Sequence, residues 1–179
     1  MESEDLRSRR TKANLRDSLI KMLLKQPFSK INVKALCEQA LLTRGTFYRH
    51  YLDKYDLLND VLSYLTVPTS AISFETLFLH PAESFRNMSN DILFQIFKKQ
   101  NHDLEFQQLQ RDFYINYYSK LLEPMDWQSS LPKSLFIAAF VDTILTFESW
   151  QVDHQKLTAA QYDRYFKQIL RLPQVQKWA

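Results

Sequence analysis

Short polar and basic side chains cluster between residues 43 and 50, in the string TRGTFYRH. A helix that enters the major groove of DNA presents such side chains near its N-terminus, where base edges and phosphates come within reach. Arg44 can form two hydrogen bonds to a guanine or can neutralise a phosphate, and Thr46 can bond a base edge or touch a thymine methyl group. With Thr43 beside them, these residues predict contact with DNA.

Two other residues in and around this string, Gly45 and Asn32, have two interpretations each. Gly45 is the only glycine in the chain, and it either allows close approach to DNA or forms a packing notch. Asn32 is either a phosphate contact or a helix cap alone. Phe47 and Tyr51 are assigned mainly to a core, because aromatic residues at helical spacing usually serve packing.

The scarcity of glycine also limits the fold. Sheets and α/β folds use glycine in tight turns, so a chain of 179 residues with one glycine is expected to be all-α. Phosphate-binding loops need several glycines at fixed spacing, which excludes the dinucleotide fingerprint and the P-loop. Many classes of enzyme are thereby excluded.

Charge and aromatic residues divide the chain into two parts. Residues 7–54 contain twelve lysines and arginines against three acidic residues, a net charge of +9, whereas the whole chain carries +3. Only five of the 25 aromatic residues fall within the first 60 positions. A basic module joined to an acidic one is expected when one end binds a polyanion. We therefore predict two domains, residues 1–64 and residues 65–179.

Periodicity and capping residues locate the elements of the first domain. One stripe of an amphipathic helix over about residues 7–25 is formed by Leu15, Leu19, Met22 and Leu23. Pro27 ends this helix. Asn32, Thr43 and Asp53 then predict the starts of three short helices. Short helices joined so closely are typical of a helix-turn-helix.

Longer helices are predicted in the second domain, and they run over about residues 81–98, 103–122, 133–151 and 158–171. The apolar stripe of the second of these consists of Phe106, Leu109, Phe113, Tyr117 and Leu121. The third is apolar nearly all round between Leu135 and Phe147, which predicts that it is covered on two sides. Thr158 and Gln161 form a capping box for the last helix.

The segment NVKALCEQALLTRGTFYRHYLDKYDLL, residues 32–58, resembles the DNA-binding domain of the TetR family of transcriptional regulators. The resemblance covers roughly residues 8–62, and its form looks most like the branch that contains dihydroxyacetone-kinase regulators. Leu41 and Pro27 depart from the family pattern, since both stand where glycine is common. The resemblance implies a three-helix DNA-binding domain whose contacts come from Asn32, Thr43, Arg44, Gly45, Thr46, Tyr48, Arg49, His50 and Lys54.

Within that set, the resemblance implies phosphate contacts for Tyr48, Arg49, His50 and Lys54. It also implies a homodimeric repressor that binds a palindromic operator in double-stranded DNA, because one reading helix buries too little surface for tight specific binding. Family members dimerise through their last two long helices. The dimer candidates, some of which have the alternative of packing inside the monomer, are Phe136, Phe140, Ile144, Tyr162, Phe166 and Ile169.

A small effector bound in the second domain is the control that the resemblance implies. An aromatic-rich interior is compatible with an apolar or aromatic ligand. The candidate effector residues are Phe94, Phe97, Phe113, Tyr117, Phe147 and Trp150. The alternative is an activator or a partner-controlled regulator without a small-molecule effector.

Catalysis and metal binding are not expected. The four histidines are scattered, and none shows the spacing of a metal-ligand pair. Asp103 and Glu105 beside His102 are more typical of a solvated or capping helix start. Cys37 is assigned to a core, and no cofactor is expected. The lone cysteine, the polar N-terminus and the lack of a long unbroken apolar run predict a cytoplasmic protein without a membrane span.

Overall fold

The computed structural model describes residues 2–66, 91–127, 129–154 and 157–170. All the regular elements within these ranges are helical, which confirms the all-α prediction. The α-helices are α1 Glu2–Leu23, α2 Val33–Ala40, α3 Arg44–Tyr48, α4 Lys54–Leu65, α5 Asp91–Gln100, α6 Leu104–Leu122, α7 Lys133–Asp153 and α8 Ala159–Leu170, with a 3-10 turn at Phe28–Lys30. Residues 81–90 of the helix predicted over 81–98 lie outside the described residues.

Packing divides the chain into two units. The first contains α1 to α5 and α6 as far as Leu109. The second contains α6 from Gln110, together with α7 and α8. The domain limits 1–64 and 65–179 therefore stay a prediction, since α5 and the start of α6 are packed with the first unit.

The first unit has its core around α1, which packs against α2, α4 and α5. The predicted stripe of α1 is buried, and Leu15, Leu19 and Leu23 are fully inaccessible to solvent. Burial of this kind stabilises a domain by about 1.5–3 kcal/mol for each large apolar side chain. The helix begins earlier than predicted, at Glu2.

The predicted caps of the short helices are confirmed. The Asn32 side chain accepts a hydrogen bond from the Ala35 N–H at 2.9 Å, and Thr43 Oγ1 accepts one from the Thr46 N–H at 3.1 Å. Asp53 Oδ1 accepts from two N–H groups at the start of α4, each at 2.9 Å. These bonds satisfy donors that a helix N-terminus otherwise leaves unpaired.

In the second unit, α7 packs against α8. The capping box of α8 is confirmed, because Thr158 Oγ1 accepts from the Gln161 N–H at 3.2 Å and Gln161 Oε1 accepts from the Thr158 N–H at 2.9 Å. The chain buries only one face of α7, so the prediction that two sides are covered is not met within a single chain. The residues left exposed along the other face include Leu135, Ala139, Asp142, Thr146 and Trp150.

The predicted stripe of α6 was wrong after its first member. The buried residues are Phe106, Gln110, Tyr114, Tyr118 and Leu122, whereas Leu109, Phe113, Tyr117 and Leu121 are half-buried. Two aromatic columns lie side by side on this helix, one through Phe113 and Tyr117 and the other through Tyr114 and Tyr118. Hydrophobic periodicity does not distinguish them, because both repeat every four residues.

Helix α7 is the one described helix long and apolar enough to cross a membrane, judged by length and composition alone. Part of this helix is buried inside the protein. Core helices of soluble proteins pass the same test. From sequence, a membrane span was not supported because Asp142 and two threonines interrupt this stretch, and one such helix is weak evidence for a span.

Candidate nucleic-acid interface

The N-terminus of α3 is exposed and carries the side chains that the sequence assigns to DNA. Thr43, Arg44 and Gly45 are exposed, and Thr46 is half-buried. With the residues that the structure describes, the Arg44 side chain forms no hydrogen bond or ion pair. Its guanidinium therefore retains its donors for a partner outside the chain.

Thr46 is held in a chain of hydrogen bonds along α3. Its Oγ1 lies 2.9 Å from Thr43 Oγ1 and accepts a bond from Arg49 Nη2 at 3.2 Å. Both partners fix the rotamer of Thr46. Preorganised side chains lose less conformational entropy when they bind.

Gly45 lies on α3 without a structural requirement for glycine. A Cβ placed there meets only Thr43 Oγ1, at an ordinary contact distance of 3.8 Å. The residue has no positive φ. A packing notch is therefore not the reason for glycine at this position, since nothing in the described chain fills the space.

The inner side of α3 is fixed by two aromatic residues, as predicted. Phe47 is fully buried and Tyr51 is 4% exposed. Tyr51 Oη donates to Asp60 Oδ2 on α4 at 2.5 Å, and Arg16 on α1 lies 3.6 Å from the same carboxylate. Burial and then the bond to Asp60 raise the pKa of Tyr51 far above its ordinary value, which keeps the phenol protonated. These contacts hold the segment that follows α3 against α1 and α4.

The other candidate phosphate contacts are solvent-accessible. Tyr48 is 57% exposed and lies edge-on to Phe47, with ring centroids 5.3 Å apart. Arg49 is exposed, and His50 is half-buried. Burial, followed by the charges of Lys12 and Arg49, lowers the pKa of His50. Two cations close to a neutral imidazole mark this surface as electropositive.

Lys54 does not share this exposure. Its Nζ lies 2.8 Å from Glu105 Oε1 and 3.2 Å from the Phe28 carbonyl oxygen, and only 14% of the side chain is accessible. The ammonium also lies 4.4 Å from the centroid of the Phe28 ring. Lys54 is therefore engaged inside the first unit, and the sequence reasoning missed these partners because Glu105 is distant along the chain.

Gln100 escaped the sequence analysis as an organiser of the first unit. For Asp103, the capping role considered from sequence is confirmed, and only its bond to Ser29 was missed. Gln100 is 1% exposed, and its amide bonds the Leu23 and Gln26 carbonyls and the Phe28 N–H. Asp103 accepts from the Ser29 N–H at 2.7 Å and caps α6. Burial alone would raise the pKa of Asp103, but these N–H donors outweigh it and lower the pKa. A polar side chain at the end of the apolar stripe of α5 was the available signal for Gln100.

The candidate effector residues have different environments. Phe94 and Phe97 belong to the first unit, where Phe97 packs against Phe106 at 6.1 Å. In the second unit, the half-buried rings of Phe113 and Tyr117 are stacked at 6.4 Å, and burial raises the pKa of Tyr117 to about 12. The remaining two are a buried ring and an exposed one, Phe147 and Trp150.

A buried polar cluster in the second unit was not anticipated. Glu148 is 9% exposed although α7 is otherwise apolar on its buried face. Burial raises the pKa of Tyr114 and of Tyr162, and the negative charge of Glu148 raises both further. Glu148 therefore lies near the two phenol groups, so the interior of this unit contains hydrogen-bonding groups as well as rings.

The candidate dimer residues are mostly interior. Phe140, Ile144, Tyr162 and Phe166 are at most 4% exposed, and Phe140 and Phe166 meet edge-on at 5.3 Å. Phe136 is half-buried, and Ile169 is 60% exposed. Packing within the monomer, the alternative considered from sequence, accounts for the four buried residues.

Comparison with known proteins identifies the fold of the chain. No family model and no curated protein matches the chain. A solved structure, a TetR transcriptional regulator from Streptococcus agalactiae 2603V, matches over 94% of this chain and 98% of its own, with a TM-score of 0.64 and 22% identity. The chain has the TetR fold. The TetR fold combines an N-terminal helix-turn-helix with a helical C-terminal part, as the sequence predicted, while the dihydroxyacetone-kinase-regulator branch receives no support.

Proposed function

We propose that this chain is a DNA-binding transcriptional regulator of the TetR family, which reads its operator with α3. The observation that carries the proposal is the exposed Arg44, which follows a capped helix start and forms no hydrogen bond or ion pair with the described residues. The TetR fold and the net charge of +9 over residues 7–54 support it. Catalysis has no place in this proposal.

The contacts divide into two classes in the proposal. Thr43, Arg44 and Thr46 read base edges, and Gly45 lets the helix backbone approach the DNA. Asn32, Tyr48, Arg49 and His50 contact phosphates and set the register. Lys54 is assigned a positioning role, because its ammonium is paired with Glu105 inside the unit.

Selection of bound duplexes from a random pool tests the proposal. We expect enrichment of a palindromic consensus, whose half-sites lie about one helical turn apart if two copies bind. Arg44→Ala should lose about 1–3 kcal/mol on the selected site and relax base preference at one position. Lys120→Ala removes one positive charge from an exposed position in the second unit, and it should bind as the wild type does.

The results contradict the proposal if the wild-type protein enriches no sequence. If Arg44→Ala loses the same binding free energy on selected and on random DNA, Arg44 contacts a phosphate and does not read a base. If Lys120→Ala weakens DNA binding as much as Arg44→Ala does, the binding is non-specific and electrostatic.

We also propose that the protein is a homodimeric repressor in the cytoplasm. The proposed dimer interface consists of the exposed face of α7 and Ile169 on α8. Ala139 and Thr146 lie on that face and are exposed in a single chain. Ala139→Arg should produce monomers by light scattering and weaken binding to the palindrome. Ser119→Arg, at an exposed position of α6, is the control and should leave the dimer intact; a wild-type monomer at all concentrations would contradict the dimer.

Control by a small effector in the second unit completes the proposal. The buried polar groups of Tyr114, Glu148 and Tyr162 among aromatic rings support it, since specific ligand sites combine apolar walls with a few polar groups. A thermal-shift screen of metabolites is the test, because a ligand of the folded state raises Tm with its concentration. A metabolite that raises Tm and also releases DNA supports the effector. If no metabolite raises Tm, the alternative of a partner-controlled regulator or an activator is favoured.

A further inference from the structure

The turn between α2 and α3 contains a leucine in a left-handed backbone conformation. Leu41 has φ 54° and ψ 43°, and no other non-glycine residue in the described ranges has a positive φ. The conformation is unfavourable for a side chain with a Cβ, and glycine or asparagine usually occupies such a helix end. Leucine at this position therefore costs the fold free energy.

Packing does not offset that cost. The Leu41 side chain is 92% exposed, the most exposed of the large apolar residues in the described chain. Its backbone N–H bonds the Glu38 carbonyl oxygen at 3.2 Å, and any amino acid other than proline would make this bond. Neither the turn nor the core thus gains from the leucine side chain, so its benefit lies outside the free monomer.

The residues around Leu41 carry a net positive charge. It lies two residues before the cap Thr43 and three before Arg44, so the Cα atoms of Leu41 and Arg44 are within about 10 Å. The charged side chains between residues 34 and 49 are all exposed: one is acidic, Glu38, which lies 3.9 Å from Lys34, and the others are Arg44 and Arg49. The N-terminal amides of α3 add a partial positive charge to the same end of the helix. A strongly anionic partner suits this position better than an apolar protein surface does.

We infer that Leu41 is an additional specificity residue, which contacts an apolar part of the DNA at the edge of the half-site read by α3. This rests on the proposed function of α3. DNA offers two such surfaces, the 5-methyl group of thymine in the major groove and the carbon atoms of deoxyribose. The first would make Leu41 a reader of thymine, and the second would make it a contact that is independent of base type.

The left-handed turn allows a test in which stability and binding move in opposite directions. Leu41→Gly and Leu41→Asn relieve the backbone strain, so both should raise Tm. If Leu41 touches DNA, both should weaken binding to the selected site by about fivefold or more, from the loss of partial leucine burial. A variant that is more stable and binds less tightly excludes unfolding as the cause.

Leu104→Asn is the matched control, because Leu104 is 80% exposed at the start of α6. It removes a similar side chain and should leave DNA affinity unchanged. Substitution of each thymine in the site by deoxyuridine separates the two DNA surfaces. If one deoxyuridine substitution weakens DNA binding by the wild-type protein but not by Leu41→Asn, Leu41 contacts the methyl group of that thymine. If no substitution distinguishes the two proteins in this way, Leu41 contacts deoxyribose.

Unchanged DNA affinity of both Leu41 variants would overturn the inference, and it would leave the proposed function intact if the wild-type protein still selects a consensus. Equal weakening by Leu104→Asn would overturn it as well. Failure of the wild-type protein to enrich any sequence would overturn the proposed function and this inference together, so the two failures are distinguishable.

Discussion

The side-chain oxygen of Gln100 accepts a hydrogen bond from the backbone N–H of Phe28 at 2.8 Å, although the residues lie 72 positions apart. The Gln100 amide nitrogen donates to the Leu23 carbonyl at 2.5 Å and to the Gln26 carbonyl at 2.9 Å. Leu23 is the last residue of α1 and Gln26 follows shortly after it, at a helix end that leaves acceptors unpaired. One side chain of α5 thereby completes the C-terminus of α1.

Gln100→Ala should destabilise the first unit. The substitution leaves buried backbone groups without partners, and we expect the free energy of unfolding to fall by about 2–3 kcal/mol. Urea denaturation measures this loss. Gln95→Ala, at an exposed position of the same helix, should change stability by less than about 0.5 kcal/mol; equal effects of the two variants would contradict the role of Gln100.

Gly45→Ala should stabilise the fold and weaken DNA binding. Alanine is accommodated, because its Cβ meets only one atom at 3.8 Å, and it favours the helix over glycine by about 0.5–1 kcal/mol. The added methyl group would obstruct close approach to DNA. Thermal denaturation and a binding titration measure the two effects, with Asn59→Ala on the exposed side of α4 as control. Undiminished affinity of Gly45→Ala would show that the glycine is not needed for contact.

Lys54→Gln should reduce stability without changing the salt dependence of DNA binding. The substitution leaves Glu105 without the cation that lies 2.8 Å away, at a cost of about 1–2 kcal/mol. Arg49→Ala, in contrast, should make the negative slope of log K against log salt shallower by about 0.9 if it removes one phosphate contact. A similar change for Lys54→Gln would restore Lys54 to the phosphate contacts implied by the TetR resemblance.

His50 should make DNA binding and stability respond oppositely to pH. Burial and nearby cations lower its pKa below 6.5 in the free protein, so the unfolded chain binds more protons and stability falls as pH drops below 6.5. A nearby phosphate would raise the pKa in the complex. The complex then binds more protons than the free protein, and affinity increases as pH falls in the same range. Binding titrations between pH 7.5 and about pH 6 should show this slope for the wild type but not for His50→Asn.

Local rules predicted the first unit well. The caps Asn32, Thr43 and Asp53 each bond N–H groups two or three residues ahead, so a short stretch of sequence contains all that determines them. The exposed position of Arg44 follows from the same cap. The site was therefore predictable wherever its geometry depends on a single turn of helix.

Contacts between distant segments were not predictable in this way. Lys54 has the sequence context of a surface residue, yet Glu105 and the Phe28 carbonyl occupy its ammonium. The choice of buried face on α6 depends on which aromatic column meets α7, for example Tyr118 against Phe140 at 5.1 Å. Such choices are made by the packing partner and leave no local pattern in a single sequence.

Burial of Cys37 provides an intrinsic probe of the helix-turn-helix. It is the only cysteine in the chain and is 4% exposed on α2, and burial raises the pKa of its thiol. An alkylating reagent can therefore reach a reactive thiolate only when α2 separates from its neighbours. The labelling rate measures the local opening equilibrium of the helix-turn-helix with no introduced reporter. If the protein binds DNA as proposed, slower labelling in the presence of DNA would measure how far binding suppresses this opening.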